Sequence, residues 1–398
     1  MTKFYRPPLE CQPKPSPSPP QRGELSIPID LRRPVLRIWF ESLMSTHYDF
    51  MIVGQGLAGC LLAQALGRRG ASCVVIGKTL PLAATPVAAG IMNPVTGQRL
   101  AMSWKADYFI PQAKTFYRSL GQDWNELLLH EGRILRFPRY EKELIKFRRK
   151  RTDPAFAPFL GEEFPPGQWA EKGWRDDEGS YEICGVGWVD VERIATIFRE
   201  KFRHMGFLRD MVFDHKDLKI KENGVRWQDE EAEIVVFCEG ARVVDNPWFQ
   251  DLPFTPSRGE TIDLVSKQEP EGEILQSGSW FHSSPDGTQR AGSTYDHDDL
   301  ASGPTEAGRM QILNGLNRFL KEPPKVVGQR CGLRPATRDR LPVMGRHPDD
   351  PRLALFNGFG SKGVLWTPAL ADCFAAHLME NGPIDKEIDL LRFTTRTA

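Results

Sequence analysis

The 398-residue chain lacks the patterns of several large protein classes. Its seven cysteines are odd in number and never spaced C-x-x-C, and its eight histidines show no metal-ligand spacing. These features exclude a disulfide scaffold, predict no metal site, and indicate reduced thiols in the cytoplasm. No apolar run approaches the roughly 20 residues that a membrane span requires. The formal net charge is zero, so bulk charge favours neither nucleic acid nor membrane as a partner.

Length and local composition divide the chain into an N-terminal extension and a folded remainder. Residues 1–46 are rich in proline and serine and show no helical or strand period, which predicts a disordered Pro-rich extension. This segment is either a docking tail or the product of an upstream start codon, with Met44 as the working start. The remaining residues are too many for one ordinary core, so two domains are expected.

The folded part opens with a β-α-β pattern around "GQGLAG". Strands are predicted at Phe50–Val53 and Cys73–Ile76, with an amphipathic helix at Leu57–Arg69 between them. A glycine motif in this context is typical of dinucleotide binding, because the free N–H groups of the helix face a pyrophosphate.

Each glycine of this first motif has an expected role. Gly54 permits the tight turn after the strand, Gly56 lets a phosphate approach the backbone, and Gly59 lets helix and strand pack closely. The acidic residue expected at the end of the second strand is replaced by Gly77, followed by Lys78. The local sequence leaves two interpretations open: Lys78 meets a 2′-phosphate, as in an NADP enzyme, or a flavin ribose is held by backbone or water.

The middle of the chain predicts elements of a second domain. A helix-rich region is predicted at about residues 105–160, and an amphipathic helix is predicted at Val191–His204. The segment "EAEIVVFCEGAR" predicts a buried strand that ends in a small-residue turn. The segments "PSRGETIDLV", "SWFHSSP" and "AGSTYDHDD" predict successive strands of an antiparallel sheet.

A second G-x-G-x-x-G stands near the end of the sequence. Gly358, Gly360 and Gly363 follow a predicted strand at Leu353–Phe356 and precede a helix. Too few residues follow for a complete second nucleotide domain. We expect this glycine turn to direct a helix N-terminus toward a partly negative group, such as the pyrimidine edge of a flavin.

Five segments together resemble one enzyme family: "GQGLAG", "EIVVFCEGA", "PSRGE", "AGSTYDHDD" and "GLRPATRDRLPVMGRHP…GFGSKG". They are similar to the D-amino-acid-oxidase-type FAD-dependent oxidoreductases. Within that family the likeness is greatest to glycine oxidase and to the oxidase domain of the bifunctional enzyme that matures a tRNA wobble uridine. Gly77 departs from the family pattern.

The resemblance implies FAD as the cofactor and an α/β fold. It implies a Rossmann-type FAD-binding domain (47–105, 184–254 and 326–398) interrupted by an α+β substrate domain with an antiparallel sheet (106–183 and 255–325). The expected cofactor-binding residues are Gly54, Gly56, Leu57, Ala58, Gly59, Lys78, Ala89, Gly90, Cys238, Gly240, Gly358, Gly360, Ser361, Lys362, Gly363 and Val364.

Arg334 in "GLRPAT" is the principal catalytic candidate. The resemblance places it over the flavin, where its guanidinium would clamp a substrate carboxylate with two parallel hydrogen bonds; the alternative is a structural pair with Asp339. Tyr295 would line the substrate face, against the alternative of a half-buried strand tyrosine. Arg338 and Asp339 are interpreted as a local ion pair, and His297 as part of a solvated turn.

The terminal turn and a basic run carry two further expectations. The backbone N–H groups of Ser361 and Lys362 are expected to face the flavin, and the Lys362 ammonium would suit a reduced, anionic flavin. The basic run at 142–151 is interpreted as a solvated helix face, with contact to an acidic partner such as tRNA as the alternative.

The resulting hypothesis is an FAD-dependent oxidase or dehydrogenase of a small amino acid or secondary amine. Its partners would be a carboxylate-bearing amine and oxygen or another electron acceptor, with neither membrane nor nucleic acid expected. Two alternatives remain open: oxidative removal of a carboxymethyl group from a modified tRNA uridine, and a 2-hydroxy-acid dehydrogenase or flavin-binding protein without amine chemistry.

Overall fold

The computed structural model describes residues 47–284 and 287–396. The predicted disordered extension at 1–46 lies outside the described residues. In chain order the strands are β1 (His47–Val53), β2 (Cys73–Ile76), β3 (Ile91–Met92), β4 (Val95–Thr96), β5 (Ala101–Met102), β6 (Leu129–Arg136), β7 (Leu160–Phe164), β8 (Ser180–Val189), β9 (Leu208–Arg209), β10 (Leu218–Lys221), β11 (Gly224–Trp227), β12 (Glu230–Phe237), β13 (Ser257–Val265), β14 (Glu273–Ser277), β15 (Ser279–Ser283), β16 (Gln289–Gly292), β17 (Lys325–Arg334), β18 (Val343–Arg346) and β19 (Leu353–Asn357).

The α-helices fall between these strands or after the last of them. In chain order they are α1 (Leu57–Arg68), α2 (Ala106–Trp124), α3 (Glu141–Arg151), α4 (Val191–His204), α5 (Glu306–Leu316) and α6 (Gly363–Glu380).

The first sheet is a parallel core with antiparallel additions. Strand β1 pairs in parallel with β2 on one side and with β12 on the other, and β19 continues the parallel set beyond β12. Strands β10, β11 and β18 join this sheet in antiparallel orientation. Because the carboxyl ends of the parallel strands meet at one edge, both glycine turns emerge at that edge. The predicted β-α-β unit and the Rossmann-type architecture are confirmed.

The second sheet is largely antiparallel and runs in the order β17-β13-β16-β15-β14-β6-β8-β3, with β7 paired to β8. Only β6 and β14 run parallel within it. Strands β8 and β17 both belong to this sheet, although the predicted ranges assigned residues 184–189 and 326–334 to the FAD-binding domain. The domain ranges themselves stay a prediction.

The two faces of the second sheet have different neighbours. Side chains such as Leu135, Leu275 and Phe281 form a buried cluster with helix α5 on one face. The alternating residues Ile134 and Gln276 line a cavity on the other face. Strand alternation therefore presents one face to a core and the other to the candidate site.

Local sequence signals set several element boundaries. Helix α4 has the predicted bounds, and the Asp190 side chain caps it by accepting a hydrogen bond from the Arg193 backbone N–H at 2.9 Å. The helix-rich interpretation of about 105–160 was incomplete, because β6 lies between α2 and α3. The strand predicted over "AGSTYDHDD" ends at Gly292, and beyond it only Asp296 forms an isolated bridge, to Arg258.

Two further classes of feature are absent from residues 47–284 and 287–396. No helix there combines the length and the apolar character needed to cross a membrane. No group of three or more histidine, cysteine, aspartate or glutamate side chains there is arranged to hold a metal ion.

Candidate functional site

A cavity of about 1420 Å³ extends from the edge of the first sheet to the inner face of the second. This volume exceeds the range of about 300–1,000 Å³ that is usual for small-ligand pockets. All the predicted cofactor-binding and catalytic residues line it except Gly59. The sequence therefore predicted positions that the fold brings together, and their individual roles stay predictions.

The first glycine turn is closed by main-chain contacts that leave no room for side chains. Gly54 has φ +115°, and a Cβ there would lie 2.4 Å from the Cys238 carbonyl oxygen. A Cβ on Gly59 would lie 1.9 Å from the Gly54 carbonyl oxygen. Gly59 therefore packs α1 against the turn and, through Ile52, against the predicted strand β1, and it does not line the cavity.

The N-terminus of α1 carries few side-chain partners. The N-cap residue, Gly56, has no side chain, and the first turn of α1 contains no acid. One N–H that was expected to be free is occupied, because Leu57 N–H donates to Thr85 Oγ1 at 3.2 Å. The Oε1 atom of Gln55, within the turn itself, is buried without a hydrogen-bond partner. A buried oxygen without a partner beside this helix end fits a site that a polar ligand completes.

The end of β2 shows how the site differs where an acid was expected. A Cβ on Gly77 would lie 2.9 Å from the Gln55 backbone nitrogen, so this position packs directly on the glycine turn. Lys78 is exposed at the cavity wall. The next residue, Thr79, accepts a hydrogen bond from Arg199 Nη1 at 2.7 Å. Cationic side chains therefore surround this end in place of a carboxylate.

The second glycine turn places another helix end on the cavity. Gly363 and Val364 begin α6, which has neither a side-chain cap nor an acid in its first turn. Ser361 lines the cavity, and Gly360 N–H donates to the Pro335 carbonyl at 3.0 Å. The expectation for the Lys362 backbone was wrong, because its N–H closes the turn by donating to the Phe359 carbonyl at 2.9 Å.

The Lys362 side chain lies at the cavity wall, and no acidic side chain of the described residues pairs with it. Its Nζ donates to the Asn93 carbonyl at 2.9 Å. Burial lowers the pKa of the Lys362 amine to about 7, because no carboxylate compensates the lost hydration. The amine is therefore charged below about pH 7 and neutral above it in the ligand-free fold.

This pKa predicts a pH-dependent stability. An unfolded lysine has a pKa of about 10.4, so between about pH 7 and pH 10.4 the unfolded chain binds more protons and the free energy of unfolding rises with pH. We expect the ligand-free wild type to gain up to about 1.4 kcal/mol per pH unit in this window relative to Lys362→Met. Urea unfolding of both proteins at several pH values measures the difference. Parallel pH curves would show that the folded amine keeps its ordinary pKa.

Arg334, the last residue of β17, projects into the cavity with donor capacity to spare. Its Nη2 donates to the Thr294 carbonyl at 3.1 Å, and its guanidinium lies 4.0 Å from the centre of the Tyr295 ring. Nη1 is buried without a partner. Burial lowers the pKa of this guanidinium, and no carboxylate among the described residues pairs with it. A buried cation in this state fits an anionic ligand.

Tyr295 and Gly259 complete the surroundings of this guanidinium. Tyr295 belongs to a loop rather than to a strand, and 58% of it is exposed. A Cβ on Gly259 would lie 2.0 Å from Arg334 Nη2, so the arginine lies directly over the backbone of β13. The open side of the guanidinium therefore faces the cavity.

Two ion-pair interpretations were wrong. Asp339 pairs with Arg392 at 3.0 Å, not with Arg338 or Arg334. Arg392 belongs to the C-terminal 3₁₀ segment Leu390–Arg396, so local sequence could not indicate it. His297 and Asp298 are exposed, as expected for a solvated turn, while His297 also lines the cavity and the adjacent Asp296 pairs with buried Arg258 at 2.9 Å.

Several cavity residues were not predicted. Gln55 lies between Gly54 and Gly56 of the first motif, and a polar amide at this position could have been recognised in the sequence as a candidate ligand contact. Thr85, Arg199 and Arg139 reach the cavity from other elements, and no local pattern identifies them. Ala89, Gly90, Cys238 and Gly240, which the resemblance did indicate, all line the cavity.

Comparison with known sequences places the chain among redox enzymes. Residues 49–377 match the family described as DAO, FAD dependent oxidoreductase. Glycine oxidase of Bacillus subtilis (strain 168) is 22% identical over 348 residues, which cover 82% of this chain and 91% of that protein. The tRNA 5-methylaminomethyl-2-thiouridine biosynthesis bifunctional protein MnmC of Marinobacter nauticus is 24% identical over 366 residues. The match covers 83% of this chain and only 55% of that protein, so the chain spans about half of this relative's length.

Solved structures share the fold. Glycine oxidase from Geobacillus kaustophilus superposes with a TM-score of 0.76 at 20% identity, covering 89% of this chain and 100% of that one. Iminodiacetate oxidase from Chelativorans sp. BNC1 gives a TM-score of 0.67 at 20% identity, covering 86% and 98% respectively.

The cofactor implied by the family fits the site. Two helix N-termini without an acid in the first turn, the closed glycine turn and the Gln55 oxygen without a partner suit a long dinucleotide that carries a pyrophosphate. FAD as cofactor and oxidoreductase as enzyme class are confirmed by the family match. The chain belongs to the DAO family of FAD dependent oxidoreductases.

Proposed function

We propose that this enzyme oxidises a small amino acid or secondary amine that carries a carboxylate, with oxygen as the electron acceptor. The observation that carries the proposal is Arg334, whose buried Nη1 lacks a partner while its guanidinium opens on the cavity. A substrate carboxylate supplies the missing acceptor. Two parallel hydrogen bonds would also fix the orientation of the carbon next to that carboxylate.

The remaining lining residues support an amine that arrives without its extra proton. The acidic side chains among the described residues of the wall are Glu239 and Asp339. Glu239 is occupied by His215 and Asn246, at 2.8 Å each, and Asp339 by Arg392. Neither carboxylate is available as a base beside Arg334, and an amine that arrives neutral requires none.

The rest of the reaction is divided between the cofactor and the wall. When bound, FAD supplies the two-electron acceptor. The Tyr295 ring holds the Arg334 guanidinium in place from one face. Oxidation of the substrate amine gives an imine, which water hydrolyses to a carbonyl compound and ammonia or a smaller amine.

A substrate panel tests the proposal. Purified holoprotein is mixed without oxygen with glycine, N-methylglycine, proline and iminodiacetate, and with methylamine and dimethylamine as matched amines that lack the carboxylate. The expected result is loss of flavin absorbance with the carboxylates only, followed by recovery and peroxide formation when air is admitted. Equal flavin reduction by the carboxylate-free amines would show that Arg334 does not recognise the substrate. Flavin reoxidation by another acceptor but not by oxygen would show that oxygen is not the electron acceptor.

The hydroxy-acid alternative is tested by adding glycolate and lactate to this panel. Both present the same carboxylate to Arg334 but have no amine. If they reduce the flavin while the amino acids do not, the enzyme is a 2-hydroxy-acid dehydrogenase.

A modified tRNA uridine is a second candidate substrate, favoured by the similarity to MnmC and by the position of α3. In this basic helix Lys146 and Lys150 donate to the carbonyls of Gln98 and Leu100, beside the cavity wall. Flavin reduction by a carboxymethylaminomethyl-uridine tRNA, and not by small amines, would select this function.

A further inference from the structure

A second arginine reaches the same cavity without a counter-ion. Arg139 follows β6, and its guanidinium lies against Gly278 in the turn between β14 and β15, where a Cβ would be 2.6 Å from Nη2. The side chain is half-buried and lines the cavity, and its Nε atom is buried without a hydrogen-bond partner. No ion pair joins it to a carboxylate within the described chain.

The groups around Arg139 compensate its charge only in part. Glu143 acts on Arg139 with opposite charge, but its Oε1 accepts from Arg136 Nε at 2.6 Å and from the Tyr181 hydroxyl at 2.9 Å. Burial and the like charges of Arg318 and Arg136 lower the pKa of the Arg139 guanidinium, and Glu143 only partly opposes them. This end of the cavity therefore carries excess positive charge.

Strand order relates Arg139 to Arg334. Strand β16 lies between β13 and β15, with Gly292 paired to Thr261 on one side and to Trp280 on the other. Arg334 lies over Gly259 of β13, and Arg139 lies against Gly278, which directly precedes β15. Neighbouring strands are about 4.8 Å apart, so the two guanidinium groups lie about two strand spacings, or roughly 10 Å, from each other across the sheet.

We infer that the substrate is a dianion, an amine with one carboxylate at Arg334 and a second acidic group at Arg139. This inference rests on the proposed amine oxidation and narrows its substrate class. The two carboxyl carbons of an extended amine with two acetate arms are about 5 Å apart, so with a hydrogen bond at each end this molecule fits between guanidinium groups roughly 10 Å apart. Side chains of Arg334 and Arg139 then hold the two ends of the substrate and leave the amine between them.

Ligand binding tests the inference without relying on turnover. Thiodiacetate carries two carboxylates and a sulfur in place of the amine, and methylthioacetate lacks the second carboxylate. Each is titrated into oxidised holoprotein while the flavin absorbance spectrum is followed. We expect thiodiacetate to bind wild type at least tenfold more tightly, and Arg139→Gln to lose about 10- to 100-fold for thiodiacetate only.

Arg318→Gln is the matched control, because it removes an exposed arginine of the same cluster that does not line the cavity. It should keep the thiodiacetate preference, and flavin content and melting temperature should be unchanged in both variants. An equal affinity of wild type for the two ligands would overturn the inference, even if amines still reduce the flavin. So would an Arg139→Gln variant that keeps the preference but binds an oligouridine RNA more weakly. If wild type prefers thiodiacetate but no amine reduces its flavin, the proposed amine oxidation is wrong and the dianion site stands.

Discussion

Replacement of Arg334 by leucine is expected to slow flavin reduction by a carboxylate substrate by about 100- to 5000-fold at subsaturating concentration. The variant leaves the substrate carboxylate desolvated and unpaired in the cavity, and loss of one partner of a buried pair costs about 3–5 kcal/mol. Flavin content should hardly change, because both glycine turns are independent of this side chain. Stopped-flow reduction at several substrate concentrations gives the rate and the saturation separately.

Two variants separate charge from geometry at this position. Arg334→Lys should recover only part of the loss, since an ammonium cannot supply two parallel donors. Tyr295→Phe keeps the ring that lies 4.0 Å from the guanidinium and removes only the hydroxyl, so it should reduce its flavin within about tenfold of wild type. A leucine variant with nearly wild-type reduction would make Arg334 a structural residue.

Replacement of Gly54 by alanine is expected to abolish most cofactor binding. The new Cβ would lie 2.4 Å from the Cys238 carbonyl oxygen, which belongs to the backbone that follows β12 and cannot yield without opening the β1–β12 pairing. The backbone conformation at φ +115° adds its own cost for a side chain. We expect the free energy of unfolding to fall by about 2–4 kcal/mol and the FAD content of purified protein to fall below half.

Gly70→Ala is the control for this prediction. Gly70 also has a positive φ, +89°, but nothing lies within 4 Å of a Cβ there. Its variant should therefore lose only about 1–2 kcal/mol of backbone energy and keep its FAD. Urea unfolding and the FAD released on denaturation measure both effects. Equal losses in the two variants would show that backbone conformation alone, and not contact with Cys238, determines the sensitivity of Gly54.

The structural elements that the sequence predicted well are those determined by interactions between residues close together in the chain. Helix α4 was bounded correctly because its amphipathic period and the Asp190 cap lie within the helix and its first neighbour. The glycines of both turns were found because their spacing and flanking strands are contiguous in the chain. Arg334 was found through a resemblance, and its open guanidinium could be recognised only from the fold.

The parts that sequence missed depend on chain segments that meet only after folding. The predicted Arg338–Asp339 ion pair was wrong because Arg392, more than fifty residues further along the chain, forms the ion pair with the Asp339 carboxylate. Arg139 lies just before a basic helix, and its sequence gave no reason to separate it from the surface charges. Its position becomes meaningful when the turn between β14 and β15 brings Gly278 against its guanidinium, at the cavity that Arg334 also lines.

The strand pairing of the first sheet has a consequence for biosynthesis. Strand β1 is synthesised well before its neighbour β12 and the outer strand β19, and the glycine turn before α6 follows all three. The nascent β-α-β unit therefore keeps one strand edge unpaired until β12 is made, which exposes it to misassociation and to chaperones. FAD can be captured fully only after the turn before α6 has been synthesised, so nascent chains stalled before residue 363 should reach the cell's quality-control machinery without a full complement of flavin.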